Sequence, residues 1–415
     1  MTIPLALYIH IPFCAARCAY CDFNTYAGLE RFHAPFVAAL IAEIRRAGAA
    51  RGRPPARTIF IGGGTPTVLA ADLLARVLQA CREAFDVAAD AEITCEANPG
   101  TVDRQRFADL RAMGVNRLSL GVQSFDDEEL RWLGRIHSAA EAEEAFRAAR
   151  TAGFANINLD FIFGLPGQHA DTWRRTLERA IALEPEHLSL YSLTVEQGTP
   201  LYDRVRRGLV PATDDDLAAA LYELACDRLA RAGYEQYEIS NWAKGRMTND
   251  ESRMTNDESR MTNDESRITN HEFAIRHSPF ACRHNLVYWR REPYLGFGPG
   301  AHSFDRAAGR RWWNVKPVPQ YIQRIEAGRS PEADGEIIDR RTAMAETMML
   351  GLRLVREGVT DASFRDQFGV ELDEVFGAEI RRLTAIGWLE RLPDRVRLTP
   401  AGRLLGNRVF AEFMP

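Results

Sequence analysis

The feature that most restricts the fold is a repeated alternation of apolar, strand-like runs with amphipathic helical stretches over residues 1–245 of this 415-residue chain. Near-continuous apolar strands separated by helices are typical of a parallel sheet that is covered on its outer face. Six such units are fewer than the eight of a closed barrel, so the pattern predicts an α/β fold, a partial (β/α)6 TIM-like barrel. In barrels of this kind the functional groups lie at the carboxyl ends of the strands. The six runs are ALYIHI, TIFIGG, AEITCEAN, RLSLGVQ, NINLDFIFG and HLSLYSLTV.

Three cysteines follow the first strand with the spacing C-x3-C-x2-C: Cys14, Cys18 and Cys21. Four thiolates would complete the shell of a [4Fe-4S] cluster, whereas three leave one iron open to a small-molecule ligand. An open iron can bind S-adenosyl-L-methionine and pass an electron into its sulfonium, which is the radical-SAM signature. The alternatives are a zinc site or unrelated buried thiols, but zinc would require a fourth ligand close by.

Charge and the remaining cysteines favour a cytoplasmic protein. The net charge of −5 gives no electrostatic reason to expect nucleic acid as a partner. The chain reaches its first strand within a few residues of Met1, so we expect no signal peptide, and no apolar run is long enough to span a bilayer. Unpaired thiols and an oxygen-sensitive cluster both suit a reducing compartment.

Further polar groups stand where the predicted strands end or inside them. Gly63, Gly64 and Thr65 follow the second strand, and their backbone N–H groups could hold a ligand. Glu96 ends the third strand, Gln123 ends the fourth, and Asp160 lies in the fifth. Each could instead be a hydrogen-bonded structural residue, because burial of an unpaired polar group is costly.

The succession YIHIPFCAARCAYCDF, GGGTP, EANP, GVQSF and DFIFGLPGQ resembles the oxygen-independent coproporphyrinogen III oxidase-like family of radical-SAM proteins. The resemblance implies that a set of residues from all five motifs contacts S-adenosyl-L-methionine. Glu96 would hold the ribose hydroxyls, and Arg135 would contact the ligand carboxylate or a second anion. The set is Tyr8, Gly63, Gly64, Thr65, Glu96, Gln123, Arg135 and Asp160.

Two departures separate the chain from the oxidases of that family. Phe23, which we expect beside the cofactors, replaces a further cysteine, and the N-terminal segment ahead of the first strand is almost missing. The chain also contains HNLVYW, which is similar to the HNxxYW signature of the family's heme-chaperone branch. His284 of this motif is therefore the predicted heme ligand. The alternative is that His284 braces a turn while Tyr288 lies in the core.

The last 170 residues or so divide into three predicted parts. Residues 246–278 contain three perfect copies of MTNDESR, which predicts a low-complexity, poorly ordered insert. Residues 279–336 complete the barrel and carry the heme motif. Residues 337–415 pattern as short helices followed by a hairpin, which predicts a winged-helix-like α+β domain.

The resemblance implies a radical-SAM protein that binds heme and delivers it to acceptor hemoproteins, respiratory proteins among them. A flavodoxin- or ferredoxin-type electron donor is implied, and a homodimer is possible. The enzymatic alternative is an oxygen-independent coproporphyrinogen III dehydrogenase. A third hypothesis, a redox-sensing DNA-binding regulator, rests only on the winged-helix pattern.

Overall fold

The computed structural model describes residues 3–245 and 277–414. The predicted repeat insert, residues 246–278, therefore lies outside the described residues apart from its last two positions. No helix in the described ranges is long and apolar enough to cross a membrane.

The six predicted strands and the helices between them are all present. Apolar residues at strand and helix spacing form these elements because each buries one side against its neighbours. The strands are β1 (Leu5–Ile11), β2 (Pro55–Gly63), β3 (Asp86–Ala97), β4 (Arg117–Gln123), β5 (Ile157–Phe163) and β6 (His187–Ser192). The helices are α1 (His33–Ala50), α2 (Ala71–Ala84), α3 (Arg104–Ala112), α4 (Asp127–Trp132), α5 (Ala139–Thr151), α6 (Ala170–Ala182), α7 (Pro200–Arg206) and α8 (Asp215–Arg231).

Strands β1 to β6 pair in sequence order and are all parallel, so their carboxyl ends share one edge. In this register His10 lies opposite Gly62, Glu96 opposite Ser119, and Gly121 opposite Asp160. The predicted partial (β/α)6 barrel is confirmed, and its open edge brings the predicted motifs to one place.

The sheet continues beyond both ends of the predicted barrel and reaches twelve strands. A hairpin of β7 (Tyr234–Glu238) and β8 (Asn241–Lys244) pairs with β6, and α9 (Arg283–Trp289) follows in the second described range. On the other side, β9 (Tyr294–Phe297) runs parallel to β1 and leads into an antiparallel meander. The meander consists of β10 (His302–Asp305), β11 (Arg310–Asn314) and β12 (Glu332–Ile337), with α10 (Val318–Glu326) before the last strand.

A buried carboxylate fastens this extension to the barrel. Glu43 of α1 accepts hydrogen bonds from the Tyr321 hydroxyl at 2.5 Å, the Asn314 amide at 2.7 Å and the Gly298 N–H at 2.9 Å. Burial raises the pKa of Glu43 to about 7. The three donors come from the loop after β9, from β11 and from α10, so one side chain links three parts of the extension to α1.

The C-terminal elements form a separate hydrophobic cluster around Phe364 and Phe376. Their order, helices followed by a small antiparallel sheet, agrees with the expected winged-helix-like unit. Ion pairs from Arg290 to Glu357 and from Arg291 to Glu346 join the unit to the barrel. The elements are α11 (Arg340–Gly351), β13 (Val359–Thr360), α12 (Asp361–Phe368), α13 (Leu372–Ala385), β14 (Leu389–Leu392), β15 (Arg395–Leu398), α14 (Pro400–Leu404) and α15 (Gly406–Ala411).

Candidate functional site

The three N-terminal cysteines lie on a turn that is stabilised by hydrogen bonds between its own backbone groups. The Cys14 N–H donates to the Tyr26 carbonyl at 2.9 Å, and the Cys21 N–H donates to the Cys18 carbonyl at 3.3 Å. The turn leaves the carboxyl end of β1, so all three half-buried thiols face the same cavity. The other four cysteines (Cys81, Cys95, Cys226 and Cys282) lie away from this cavity.

Each thiol has a polar neighbour that can stabilise a thiolate. The Thr65 hydroxyl lies 3.7 Å from Cys14 Sγ, Thr25 Oγ1 lies 3.7 Å from Cys21 Sγ, and Arg135 Nη1 lies 3.4 Å from Cys18 Sγ. Burial, and to a lesser extent the two neighbouring thiols, raise the pKa of Cys14. Three thiolates at this turn would therefore need a bound cation to offset their charge.

These thiols do not converge on one point. Within residues 3–245 and 277–414, no three Cys, His, Asp or Glu side chains are arranged to hold a single metal ion. A [4Fe-4S] cluster makes a different demand, because each thiolate binds a different iron. The donor set of three cysteines around one cavity fits that demand.

The glycine turn after β2 packs directly on the cysteine turn. Gly63 has φ +105°, and a methyl group there would lie 2.3 Å from His10 Nδ1. A methyl group at Gly64 would lie 2.5 Å from the Phe13 carbonyl oxygen. Only glycine allows this approach.

The backbone N–H groups of the glycine turn already have partners. Gly63 donates to Glu96 Oε2 at 3.0 Å, Gly64 to the Ile11 carbonyl at 2.8 Å, and Thr65 to the Phe13 carbonyl at 2.7 Å. The sequence pattern favoured these groups as ligand donors. In the structure they instead join the glycine turn to β3 and to the segment before the cysteine turn, so the side chains around them are left to bind a ligand.

Two half-buried carboxyl groups, Glu96 of β3 and Asp160 of β5, face the cavity from either side of β4. Asp160 accepts hydrogen bonds from Ser119 Oγ at 2.8 Å and from Asn158 Nδ2 at 2.9 Å. Burial and the nearby Asp160 raise the pKa of Glu96 to about 8, and burial also raises the pKa of Asp160. Neither carboxyl group has a salt bridge among the described residues, so a ligand with hydroxyl or cationic groups would stabilise both.

The fourth strand supplies two further predicted residues. Gln123 ends β4 with φ +69°, a left-handed conformation that is uncommon outside glycine and is found at functional sites. Arg135 Nη2 donates to the Gly121 carbonyl at 2.8 Å, which holds the guanidinium between β4 and the cysteine turn. Phe23 lines the same cavity with 64% of its surface exposed.

The cavity has a volume of about 440 Å³, and every predicted site residue except Tyr8 and His284 lines it. A second space of about 210 Å³ lies deeper in the barrel and shares Glu96, Ser119, Asp160 and Tyr191 with the first. Tyr8 and His284 line this inner space. The two spaces are therefore neighbours along the barrel axis, with the carboxyl pair between them.

His284 lies in the interior, at the start of α9, with 1% of its surface exposed. Its Nδ1 is hydrogen-bonded to Thr58 Oγ1 at 2.9 Å and its Nε2 to the Tyr288 hydroxyl at 2.9 Å. Burial lowers its pKa to about 3. Both ring nitrogens are engaged, so the geometry corresponds to the bracing role and leaves no nitrogen for heme iron.

Sequence reasoning missed the polar residues that surround the carboxyl pair. Arg117 is 2% exposed, its side chain has no hydrogen bond or salt bridge among the described residues, and it lines the inner space. Arg117, Ser119 and Gln123 lie on one side of β4, and Asn158 and Asp160 share one side of β5. This period-two polar pattern within apolar strands could have identified them.

Comparison with known proteins agrees with this architecture. The sequence profile of the radical SAM superfamily matches residues 8–180, and that of the HemN C-terminal domain matches residues 338–405. The heme chaperone HemW of Bacillus subtilis is 36% identical over 98% of this chain and 98% of its own length. The heme chaperone HemW of Escherichia coli is 35% identical over 99% of this chain and 98% of its own length.

Among solved structures, coproporphyrinogen III oxidase (HemN) from Escherichia coli superposes with a TM-score of 0.78. The match covers 99% of this chain and 90% of that one at 23% identity, which shows a shared fold. The near full-length identity to the curated relatives goes further: the chain belongs to the HemW family of radical SAM proteins.

Proposed function

We propose that this chain is a radical-SAM heme chaperone, which binds heme and delivers it to acceptor hemoproteins in the cytoplasm. Near full-length identity of 35–36% to proteins named heme chaperone HemW carries the proposal. Respiratory hemoproteins are the proposed acceptors, and a flavodoxin- or ferredoxin-type protein is the proposed electron donor. The net charge of −5 gives no electrostatic reason to propose a nucleic acid as a partner.

Membership of the radical SAM superfamily implies a [4Fe-4S] cluster and S-adenosyl-L-methionine. Cys14, Cys18 and Cys21 would hold the cluster, and Arg135 would offset part of its negative charge. S-adenosyl-L-methionine bound to an open iron supplies a 5′-deoxyadenosyl radical on reduction. The protein's part is placement and exclusion of water.

The proposed S-adenosyl-L-methionine pocket is the 440 Å³ cavity. Glu96 would accept hydrogen bonds from the ribose hydroxyls, since its Oε1 has no partner among the described residues. Asp160, held in place by Ser119 and Asn158, and the strained Gln123 would complete the polar wall. The raised pKa of Glu96 would return toward its ordinary value when ligand hydroxyls donate to it.

The enzymatic alternative is decarboxylation of coproporphyrinogen III. Family resemblance requires a further cysteine for that reaction, and Phe23 occupies the position with its ring at the rim of the cavity. A phenyl ring cannot bind iron or take part in thiol chemistry. The shared fold with HemN does not by itself imply a shared reaction.

The test uses anaerobically reconstituted full-length protein in two parallel assays. Titration with hemin, followed at the Soret band, should give saturable binding, and transfer to an apo-hemoprotein should follow. Incubation with coproporphyrinogen III, S-adenosyl-L-methionine and reductant should give no decarboxylation, and Phe23→Cys should not restore it. Turnover of coproporphyrinogen by the unaltered protein would refute the chaperone function.

A further inference from the structure

Two exposed histidines are found in the described chain, and one of them stands beside an aromatic ring. His302 begins β10 and lies directly opposite Trp313 of β11. The two rings are stacked, with centroids 5.5 Å apart and planes inclined at 28°. The other exposed histidine, His169, precedes α6 and has no such ring contact.

The imidazole of His302 is free to bind a metal. Neither of its nitrogens has a hydrogen-bond partner within residues 3–245 and 277–414. A nitrogen lone pair lies in the plane of the imidazole ring, so stacking on Trp313 covers a face and leaves the binding edge open. Partial loss of solvent beside Trp313, together with Arg311 and Lys316, lowers the pKa of His302, which favours the neutral ring, the form that binds metals.

The position of His302 is fixed relative to the mouth of the barrel. The preceding loop packs on the cysteine turn, because Asn24 Nδ2 donates to the Pro299 carbonyl at 2.9 Å and to the Lys316 carbonyl at 3.1 Å. A methyl group at Gly300 would lie 2.9 Å from the same Asn24 nitrogen. Phe23, the exposed residue at the cavity rim, is the neighbour of Asn24 in the chain.

The His302 imidazole is surrounded by charged groups of both signs, and one of the cations, Lys316, has no salt bridge among the described residues. Arg311, on the same face of the sheet, is held by Glu336 at 2.8 Å and by Glu346 at 2.6 Å. Asp334 of β12 lies opposite Trp313. The ammonium group of Lys316 is exposed, contributes to the field at His302 and has no salt bridge among the described residues.

We propose that His302 is the axial ligand of the carried heme, with Trp313 against the porphyrin and Lys316 available to a propionate. An imidazole bound through its edge stands perpendicular to the porphyrin plane, so the parallel indole would meet that plane edge-on, a favourable aromatic geometry. The inference rests on the proposed heme-chaperone function and assigns its ligand site. It replaces His284, whose two nitrogens are engaged and buried.

An open site on the sheet surface suits a protein that must release its cargo. One coordinate bond and a partly covered porphyrin leave the opposite heme face available to an acceptor's own ligand. A heme enclosed in the barrel would instead have to pass the carboxyl pair and the cysteine turn to leave.

The test compares His302→Ala with the matched control His169→Ala in anaerobically reconstituted full-length protein titrated with hemin. Loss of His302 should shift the Soret band and weaken hemin affinity by about tenfold or more, while cluster absorbance and S-adenosyl-L-methionine affinity stay unchanged. His169→Ala should bind as the unaltered protein does. Free imidazole added to His302→Ala should restore the Soret position, an effect that a purely structural role could not produce.

The outcomes distinguish the assignment of His302 as heme ligand from the proposed heme-chaperone function. Hemin binding by His302→Ala with unaltered spectrum and affinity would overturn the ligand assignment while the chaperone function stands. Failure of the unaltered protein to bind hemin would overturn both. A uniform loss of binding in both variants would also count against His302, because only one of them lies beside Trp313.

Discussion

Replacement of His284 by alanine should destabilise the fold while leaving hemin binding intact. The substitution removes the partner of Thr58, which is fully buried, and the partner of the Tyr288 hydroxyl. Each buried hydroxyl left without a partner costs about 1–3 kcal/mol, and the space vacated by the ring adds to this. We therefore expect the free energy of unfolding to fall by about 3–6 kcal/mol.

Asn285→Ala is the matched control, because it alters the neighbouring residue on the same helix. The Asn285 side chain has no hydrogen bond among the described residues and faces the inner space, so we expect a loss of about 1 kcal/mol or less. Urea denaturation followed by circular dichroism measures both variants. Hemin titration at low urea, where both variants are folded, tests binding separately.

The effect of pH on stability gives a second readout for His284. Its pKa of about 3 in the folded chain lies below the ordinary value of 6.5, so the folded state excludes a proton that the unfolded state accepts. Its contribution to stability is therefore full above pH 6.5 and is lost as the pH falls toward 3, by about 1.4 kcal/mol per pH unit. The alanine variant should lose this one-proton dependence. An unchanged free energy of unfolding together with lost hemin binding would refute the bracing role.

Three further perturbations probe the cofactor site. Alanine at any one of the three cysteines of the N-terminal turn should abolish the cluster's absorbance and EPR signal after reconstitution, whereas Cys81→Ala should leave them intact; cluster assembly on two thiols would contradict this. S-adenosyl-L-methionine affinity, measured by calorimetry, should rise as the pH increases through the Glu96 pKa of about 8, because the ionised carboxylate accepts the ribose hydrogen bonds better. Glu96→Gln should bind more weakly and show no such rise, and an identical pH profile would exclude Glu96. Gly63→Ala should lower stability by about 1–3 kcal/mol, as its methyl group meets His10 and its φ is positive; a melting temperature equal to that of the unaltered protein would show that the two turns can separate without cost.

The sequence by itself determined the six β/α units, because their apolar runs and helical periodicity are local patterns. It also placed the cysteine turn, Glu96 and Gln123 at the carboxyl ends of strands, since parallel strands share that edge. These positions follow from the order of the strands along the chain. Because the strand ends share one edge of the sheet, the side chains there line one cavity.

Only the tertiary structure decided which histidine is buried and which is exposed. His284 and His302 stand 18 positions apart in similar apolar and aromatic surroundings in the sequence. His284 is enclosed because α9 packs into the barrel interior, where the imidazole is hydrogen-bonded to Thr58. His302 stays on an open face of the sheet because the meander is attached to the outside of the barrel through Glu43. Both outcomes depend on contacts between residues more than 200 positions apart, which no local pattern contains.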